Sequence, residues 1–406
     1  MHLLVIESNT TGSGMLFLQK AQEHGLSPLF FTNKPQRYPG LERLACRVVS
    51  CDTNTLEALT GAIEREVEAG LILGVTTTSE FYLETVARLA ASYGVPGNPP
   101  EAIHLCRNKA LTRATLEGAG VPQPRFAVVS TIEECQEKLQ AVGLPCVVKP
   151  ADDTGSDKVL FCRTEAEVRA QTRLILGTAF NVRGQATARM ALIEEYLSGP
   201  EYSVETFSHE GSIHCIGVTQ KQVSSFPFFV EEQHLFPAPL PAAIEEELVQ
   251  TVCTTLAALG IRSGPVHTEV KRTERGWIPV EVNARLAGGM IPVLIRLVTE
   301  ADLLEAQLQA AVGQAPRLPT TYSGYAGIRF LLAAKEGRLR AVEGLASVKA
   351  LPFVEQVTLT VKPGERVFPA RSAYERLGYV IVHAKTADVV IQTLEEAVKR
   401  LQLIIE

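Results

Sequence analysis

Apolar and polar positions follow two alternating patterns along the first hundred residues. Short apolar runs such as LLVIE, PLFFT and Leu71 to Thr76 have the composition of buried strands. Between them, Met15 to His24, Leu56 to Ala69 and Glu84 to Tyr93 repeat their apolar residues at helical spacing. Strands that alternate with helices indicate βαβ units and a parallel sheet. The Pro/Gly segment GVPGNPP then separates these units from the next one, and the first domain is predicted to comprise residues 1–108.

The pattern changes after Lys109. The runs ALIEEYL, YSVETFS and SIHCIGVTQ follow one another through Gly-containing turns, and HTEVKRT and GWIPVEVNA form a further pair, which predicts antiparallel sheet in residues 109–316. A loop, GQAPRLPTT, precedes a β-rich closing domain, residues 317–406, that ends in a helix from Thr386 to Leu401. The predicted fold class is therefore a multidomain combination of α/β and α+β.

Composition excludes several classes of protein. The chain has 406 residues with 46% hydrophobic and 21% charged side chains, enough to build more than one globular core. Its 39 Lys and Arg against 45 Asp and Glu give a net charge of −6, which argues against a nucleic-acid partner. No secretory signal and no apolar run of bilayer length is visible, so we expect neither export nor a membrane span. The eight cysteines form no CxxC pair, as expected for a reducing cytoplasm.

Two common nucleotide motifs are absent from the chain. Gly12-Ser13-Gly14 follows the first strand, but Phe17 stands where a dinucleotide fingerprint has its third glycine, and no acidic residue ends PLFFT. No GxxxxGK[ST] segment exists, which excludes a P-loop. The Gly12–Gly14 segment is interpreted as a tight turn in a Rossmann-like sheet.

Lysines and a small-residue turn form candidate phosphate contacts. Lys149 ends the apolar strand CVVK, where a rigid sheet can direct its charge toward phosphate oxygens, and Lys109 is the second candidate. Thr154, Gly155 and Ser156 lie between two strands, where small residues let backbone N–H groups approach an anion. Taken singly, each feature also fits a solvated lysine or an ordinary turn.

The stretch LIEEYLSGPEYSVE offers a candidate adenine and ribose site. Backbone groups of Glu195, Tyr196 and Leu197 at a strand edge would suit an adenine ring, and Glu201 could accept hydrogen bonds from a ribose. The alternative is a β-hairpin with exposed acids.

The segments HTEVK and VEVNARLAGG carry the most specific pattern. Glu281 and Asn283 are two apart in a strand and face one side, where Glu269 of a neighbouring strand can meet them. Two carboxylates and an amide suit Mg²⁺. The alternative is that the carboxylates are solvated or pair with Lys271 or Arg285.

Arg285 and the Gly288-Gly289 pair come directly after these oxygen ligands. A guanidinium and accessible backbone amides could bind a carboxylate or a phosphoryl oxygen. His267 stands two residues before Glu269 and could accept the proton of an attacking amine, although a histidine in a packed strand is more often structural.

In this order, the elements resemble the ATP-grasp superfamily. The segments GPVHTEVK and VEVNARLAGGMIP are similar to those of the carboxylate–amine ligase branch, which contains the bacterial L-amino-acid ligases. The resemblance implies a pre-ATP-grasp domain, an ATP-grasp domain with a mobile lid at about residues 112–190, and a β-rich C-terminal domain. It also implies the cosubstrate ATP, a pair of Mg²⁺ ions with Mn²⁺ as a possible substitute, and an amino acid or amine as substrates in a possible homodimer.

The resemblance assigns roles residue by residue. Lys109 and Lys149 would hold the α- and β-phosphates, and Thr154 to Ser156 would close on the β- and γ-phosphates. Adenine would be framed by Glu194, Glu195, Tyr196 and Leu197, and Glu201 would bind the ribose. The metal ligands would be Glu269, Glu281 and Asn283, and Arg285 would neutralise the substrate carboxylate and the developing acyl phosphate.

The predicted reaction is an ADP-forming ligation of an amino-acid carboxylate to an amine through an acyl phosphate. Glu80 departs from the family pattern, because many relatives have Asp there, and it is a candidate substrate contact. The segment QVSSFPFFVEEQHLFPAPL matches the pattern loosely, and its Phe229, Glu231 and His234 are candidate amino-acid contacts. Two alternatives stay open: an ATP-grasp enzyme that activates bicarbonate or formate, and a non-catalytic nucleotide-binding regulator.

Overall fold

The N-terminal part of the chain is built on a parallel sheet. The computed structural model describes residues 1–10, 14–44, 46–224 and 227–406, so the predicted turn residues Gly12 and Ser13 lie outside the described residues. The elements are β1 (His2–Ile6), α1 (Gly14–Glu23), β2 (Ser27–Thr32), β3 (Arg47–Ser50), α2 (Leu56–Glu66), β4 (Ile72–Thr76) and α3 (Leu83–Tyr93). The strand order is β3-β2-β1-β4, so the direction of winding reverses between β1 and β4 and leaves a crevice at their carboxyl ends.

Two helices lead into a small antiparallel sheet. The helices are α4 (Pro100–Arg107) and α5 (Lys109–Gly118), and the Asn108 side chain caps α5 by accepting hydrogen bonds from the backbone of Ala110 and Leu111. The small sheet and its helices comprise β5 (Phe126–Val129), α6 (Cys135–Val142), β6 (Cys146–Pro150), β7 (Leu160–Cys162), α7 (Glu165–Gly177) and β8 (Ala191–Glu195). Its strand order is β5-β8-β6-β7.

A large antiparallel sheet follows and includes strands of both the central and the C-terminal part. Its first elements are β9 (Glu201–His209), β10 (Ser212–Val223), β11 (Glu231–Phe236), α8 (Ala242–Ala258), β12 (Gly264–Thr273), β13 (Gly276–Asn283), α9 (Ile291–Thr299) and α10 (Leu303–Ala311). The C-terminal elements are β14 (Tyr325–Leu331), β15 (Gly337–Glu343), α11 (Leu345–Lys349), β16 (Val354–Leu359), β17 (Arg366–Val367), β18 (Gly378–Ala384), α12 (Ala387–Arg400) and β19 (Gln402–Ile405).

In the described residues, the order of the large sheet is β13-β12-β9-β10-β11-β14-β18-β16. The predicted antiparallel pairs β9 with β10 and β12 with β13 are present. The C-terminal part is β-rich as predicted, but most of its strands continue the large sheet, and β15, β17 and β19 form a separate small one. The expected mixture of parallel and antiparallel sheet is therefore confirmed.

One predicted strand relation is wrong. β8 and β9 follow each other through a Gly-Pro turn, which favoured a hairpin from local pattern alone. Instead, β8 lies inside the small sheet between β5 and β6, whereas β9 lies in the large sheet between β10 and β12. The chain thus crosses from one sheet to the other at residues 196–200, and a cavity opens between the two sheets.

Apolar cores hold these layers together. Phe17 of α1, Phe207 of β9 and Phe236 of β11 are fully buried in one core that also includes α9 and α10. This core contains residues of both the N-terminal sheet and the large sheet, so burial of apolar surface holds these two sheets together. None of the helices in the described residues is both long and apolar enough to cross a membrane.

Candidate active site

A cavity lies between the small and the large sheet, with an empty volume of about 870 Å³ when the part open to solvent is included. Most of the predicted nucleotide and metal contacts line it: Lys109, Lys149, Thr154, Ser156, Glu194, Glu195, Tyr196, Leu197, Glu201, Glu269 and Glu281. Phe229 and Glu231 of the loosely matched segment line it as well, and Ser225 and Phe226 of that segment are outside the described residues. Residues from five separate stretches of sequence therefore share one cavity.

Lys149 is held at the base of this cavity by an ion pair. Its Nζ lies 2.6 Å from Glu194 Oε2, and the Arg113 guanidinium donates to the same carboxylate at 2.7 and 3.3 Å. Burial alone would raise the pKa of Glu194, but Arg113 and Lys149 outweigh it and lower the pKa to about 2. Burial lowers the pKa of Lys149, although Glu194 opposes that shift.

The four residues of the predicted adenine frame all line the cavity but differ in how their groups are already used. The Glu194 carboxylate is occupied by Arg113 and Lys149, and the backbone of Glu194 and Glu195 pairs with strands on both sides, because β8 is not an edge strand. Tyr196 and Leu197 lie beyond the end of β8 and still line the cavity. Backbone groups of Tyr196 and Leu197 lie outside the sheet ladder, whereas Glu194 and Glu195 border the cavity from within it.

Lys221 is a cation that motif reading did not single out. It lies on β10, is buried, and places Nζ 2.7 Å from both Glu231 and Glu269 and 3.2 Å from Glu201. Burial would lower the pKa of Lys221, but these carboxylates raise it well above its ordinary value. A signal existed in the strand register, because Lys221 and Lys271 are the partners of Glu201 on its two sides.

The candidate metal ligands lie on adjacent strands. Glu269 of β12 and Glu281 of β13 are direct cross-strand partners, and Asn283 follows two residues later on the same side as Glu281. Lys221 approaches Glu269, and Lys109 Nζ lies 3.0 Å from Glu281 Oε1. The carboxylates are thus compensated by Lys221 and Lys109, rather than by Lys271 or Arg285 as the sequence alternative held.

These residues fit a hard divalent cation by their donor chemistry. Glu269, Glu281 and Asn283 offer oxygen ligands, as Mg²⁺ prefers. Each of the two carboxylates already pairs with a lysine, Lys221 at Glu269 and Lys109 at Glu281. Among the described residues, no group of three or more His, Cys, Asp and Glu is arranged to hold a metal. Mg²⁺ bound through one or two carboxylates usually takes further ligands from phosphate oxygens and water.

His267 has a different environment from the one that a general base needs. Its Nδ1 lies 2.9 and 3.0 Å from the two Glu205 oxygens, and its Nε2 lies 3.3 Å from Glu269 Oε1. Burial would lower the pKa of His267, but Glu205 and Glu269 outweigh it and raise the pKa to about 9. A histidine that keeps its proton near neutral pH does not accept another, so this geometry argues against the predicted base role and favours positioning of Glu269.

Arg285 lies outside the large cavity and is clamped by Glu80. Its Nε pairs with the Glu80 carboxylate, whose other oxygen accepts from Arg107 Nη1 at 3.0 Å. Burial would raise the pKa of Glu80, but Arg285 and Arg107 outweigh it and keep the carboxylate ionised. Glu80, a predicted substrate contact, is therefore already occupied by arginines in this arrangement.

A second cavity of about 600 Å³ adjoins Arg285. Its wall is mostly apolar, with Val86, Ala87, Ile103 and Ala310 beside Gln307. Gln307 Nε2 already donates to Thr76 Oγ1 and to the backbone of Thr77. An apolar group next to the Arg285 cation is what this space would accept.

The Gly288-Gly289 pair adjoins His234. A Cβ at Gly289 would lie 2.5 Å from His234 Cε1, and Gly289 has a φ of +57°, so both space and conformation favour glycine there. His234 is buried and packs edge-on against Phe330, and Glu231 Oε1 lies 3.5 Å from its Nε2. Burial lowers the pKa of His234, so the ring is neutral beside the glycines.

Comparisons with known proteins agree with this geometry. The profile of the ATP-grasp domain matches residues 142–293, and the profile of L-amino acid ligase C-terminal domain 2 matches residues 329–406. An uncharacterized protein, y4rH, of Sinorhizobium fredii is 33% identical over 398 residues, which cover 97% of this chain and 82% of that protein. The chain belongs to the ATP-grasp family.

Members with assigned names are more distant. The L-arginine-specific L-amino acid ligase of Bacillus subtilis is 22% identical over 326 residues, covering 79% of this ATP-grasp chain and 78% of that protein. The crystal structure of an L-amino acid ligase from Bacillus licheniformis has the same fold, with a TM-score of 0.83, 23% identity, and coverage of 100% of this chain and 99% of that one. The predicted family, its ATP-grasp fold and the class of enzyme, an ADP-forming ligase, are thereby confirmed.

Proposed function

We propose that the protein joins the carboxylate of one amino acid to the amine of another with ATP, and forms ADP, phosphate and a dipeptide. The observation that carries this proposal is the convergence of Lys109, Lys149 and Lys221 with Glu269 and Glu281 in one cavity. Cations surround the place for a triphosphate, and Arg285 lies nearby for a carboxylate. The matching C-terminal domain supports the amino-acid ligase branch over other ATP-grasp reactions.

ATP would enter with its base beside Tyr196 and Leu197 and its ribose near Glu201. Lys109, Lys149 and Lys221 would face the phosphates, and the Thr154–Ser156 turn would cover the terminal one. Mg²⁺, when bound by Glu269, Glu281 and Asn283, supplies charge neutralisation of the phosphate oxygens. The site would hold two Mg²⁺ ions, and Mn²⁺ would be able to replace them.

The carboxylate must acquire a leaving group before an amine can displace it. An oxygen of the substrate carboxylate forms a bond to the γ-phosphorus, the bond to the bridging β,γ-oxygen breaks, and ADP leaves. The Arg285 guanidinium reduces the repulsion between the two anions. Glu80 holds that guanidinium in place, and Arg107 in turn holds Glu80.

The amine then attacks the carbonyl carbon of the acyl phosphate. A C–N bond forms, the C–O bond to the phosphate breaks, inorganic phosphate leaves with the electron pair, and the proton of the amine passes to the departing phosphate. Backbone N–H groups of Gly288 and Gly289 are candidates to stabilise the oxygen that becomes negative. Neutral His234 packs against Gly289 and would fix the position of this glycine pair.

The second cavity suggests which amino acid is activated. A substrate whose carboxylate pairs with Arg285 would place its side chain against Val86, Ala87 and Ile103. These apolar walls favour small apolar side chains over charged ones. We therefore expect alanine-like and valine-like amino acids to be preferred as the carboxylate donor.

The experiment is a screen of ADP release with amino acids supplied singly and in pairs, followed by product mass. A dipeptide mass with matched ADP supports the proposal. ADP release that instead needs bicarbonate or formate would support those ATP-grasp reactions, and ATP binding without turnover across the panel would support a regulator. Glu281→Gln is the inactive reference, and Glu274→Gln, at an exposed turn, is its matched control.

A further inference from the structure

A short segment of the C-terminal part, residues 371–376, reaches the border of the large cavity. It contains the tight 3₁₀ turn Ala373–Glu375. Glu375 Oε2 accepts hydrogen bonds from the Ser372 hydroxyl at 2.6 Å and from the Ser372 backbone N–H at 2.8 Å. Because these bonds close the turn on itself, the backbone of Tyr374 has a defined position.

Three side chains of this segment contact residues that line the cavity or adjoin its lining in sequence. The Arg371 guanidinium lies 5.7 Å from the centre of the Phe228 ring. Arg376 Nη2 donates to Glu231 Oε2 at 2.7 Å, and Glu231 in turn holds Lys221. The C-terminal part therefore already supports one wall of the cavity.

Tyr374 makes the third contact, with the turn proposed to cover the phosphates. A Cβ at Gly155 would lie 3.3 Å from both Cε2 and Oη of Tyr374, so the ring packs directly on the glycine. Gly155 has a φ of +73°, and its neighbours Thr154 and Ser156 line the cavity. A side chain at residue 155 would be strained and would push the ring away.

The Tyr374 ring is not anchored in a core of the C-terminal part. Its side chain is 60% exposed, and the Gly155 backbone is one of the surfaces that it touches. The free energy falls when a neighbouring surface covers an exposed aromatic ring.

We propose that Tyr374 is a positioning residue of the ligase reaction, whose ring packs on the Thr154–Ser156 turn in the nucleotide-bound state and keeps water away from the activated carboxylate. This inference rests on the proposed function. An acyl phosphate that meets water gives free acid and phosphate, so a turn that closes poorly wastes ATP. The C-terminal part then contributes to coupling of ATP hydrolysis to bond formation.

The first measurement is amide hydrogen exchange of residues 153–158 with and without magnesium and a non-hydrolysable ATP analogue. In the wild type, we expect nucleotide to slow exchange. In Tyr374→Ala, the nucleotide-dependent protection should fall by about tenfold, because the ring no longer covers the turn. The matched control is Phe368→Ala, which removes another exposed ring of the C-terminal part that does not line the cavity.

The second measurement is the ratio of phosphate released to dipeptide formed. Tyr374→Ala should raise this ratio several-fold, whereas Phe368→Ala and Tyr374→Phe should leave it at the wild-type value. A merely structural role would lower both products together and would not change the ratio. If Tyr374→Ala does not fold, Tyr374→Leu provides the same comparison.

The outcomes separate this inference from the function on which it rests. A wild type that nucleotide fails to protect overturns the nucleotide site, and the role of Tyr374 with it. A wild type that is protected, with Tyr374→Ala equally protected and equally coupled, overturns only the role of Tyr374. Tyr374→Phe that behaves as Tyr374→Ala also overturns it, because ring packing would then not be the cause.

Discussion

Glu80 is a buried carboxylate shared by two guanidinium groups, Arg285 and Arg107. A group in this environment does not need to touch a substrate to affect the reaction, because it decides where the Arg285 cation is held. The predicted consequence is that Glu80 and Arg285 act as one unit. Their mutations would then fail to add.

We expect Arg285→Ala to lower turnover about 100- to 1000-fold, since it removes one electrostatic stabiliser. Glu80→Gln should lower turnover by about tenfold alone and by much less in the Arg285→Ala background. Steady-state ADP release checks both expectations. The control is Arg296→Ala, an exposed arginine of α9, which should retain wild-type turnover. Near-normal turnover of Arg285→Ala, or losses that multiply in the double variant, would contradict the arrangement.

Glu194 carries the clearest dependence of stability on pH. Its pKa is lowered from 4.5 to about 2 in the folded protein, so its ion pair stabilises the fold above about pH 4.5 and loses this effect as the pH falls toward 2. Glu194→Gln leaves Lys149 and Arg113 buried without a counter-charge. We expect it to lower the free energy of unfolding by about 3–5 kcal/mol near neutral pH.

Urea unfolding of the wild type and of Glu194→Gln checks this, at neutral pH and at about pH 3. The difference between the two proteins should narrow at the lower pH. The neighbouring Glu195→Gln is the matched control, because Glu195 pairs with Arg125 and Arg275, which are exposed, and should cost about 1 kcal/mol or less. A difference that is small at neutral pH, or that widens in acid, would contradict the proposed linkage.

The sequence predicted side chains that share one strand better than it predicted their distant partners. The spacing of two in a strand sufficed to bring Glu281 and Asn283 together, and the likeness of two motifs brought in Glu269. The partner of Glu194 is Arg113, which is 81 positions away, and nothing in a local pattern joins them. Lys221 was missed for the same reason, since its three carboxylates come from three other strands.

At the scale of elements, the local pattern correctly indicated strands but not always their neighbours. ALIEE and EYSVETFSH are both strands, but they do not pair with each other. The first lies in the small sheet and the second in the large sheet. Sheet order depends on contacts over long sequence distances, which periodicity does not contain. The crossing that results creates the cavity, so the feature that sequence reasoning missed is the one that makes the site.

The loop after α7 joins the small sheet to the N-terminal part of the molecule. Arg183 is buried at the carboxyl ends of the parallel strands, where Nη2 donates to the backbone oxygen of Ser8 at 2.9 Å and Nη1 to Tyr38 Oη at 3.2 Å. Asn54 Nδ2 donates to the backbone oxygen of Arg183 at 3.0 Å, and Gln185 Nε2 to that of Phe81 at 3.0 Å. This loop therefore restrains the small sheet.

We expect Arg183→Ala to release the loop without unfolding the protein. Hydrogen exchange in residues 178–187 should become about tenfold faster, since two hydrogen bonds and a buried guanidinium are lost. The control is Arg173→Ala, an exposed arginine of α7, which should leave exchange unchanged. Equal exchange in Arg183→Ala and the wild type would show that the loop is held by other contacts.

At the scale of the whole molecule, the large sheet passes from the central into the C-terminal part without a break. β11 pairs with β14 in a register that joins Gln233 to Arg329 and Phe236 to Ala326, so a strand of the central part has its partner in the C-terminal part. The sequence placed the loop GQAPRLPTT at the boundary between these two parts. A shared sheet instead implies that the two parts unfold together.

Calorimetry of the full chain should accordingly show one transition for the central and C-terminal parts. A chain that ends at residue 316 would leave β11 as an unpaired edge and expose the fully buried Phe236 and its neighbours, so we expect it to aggregate and to release no ADP. Co-expression with a separate chain of residues 317–406 should restore solubility, because the strand that covers β11 is supplied again. A soluble, cooperatively folded 1–316 chain would contradict this, and would mean that the core shared with α9 and α10 holds β11 without β14.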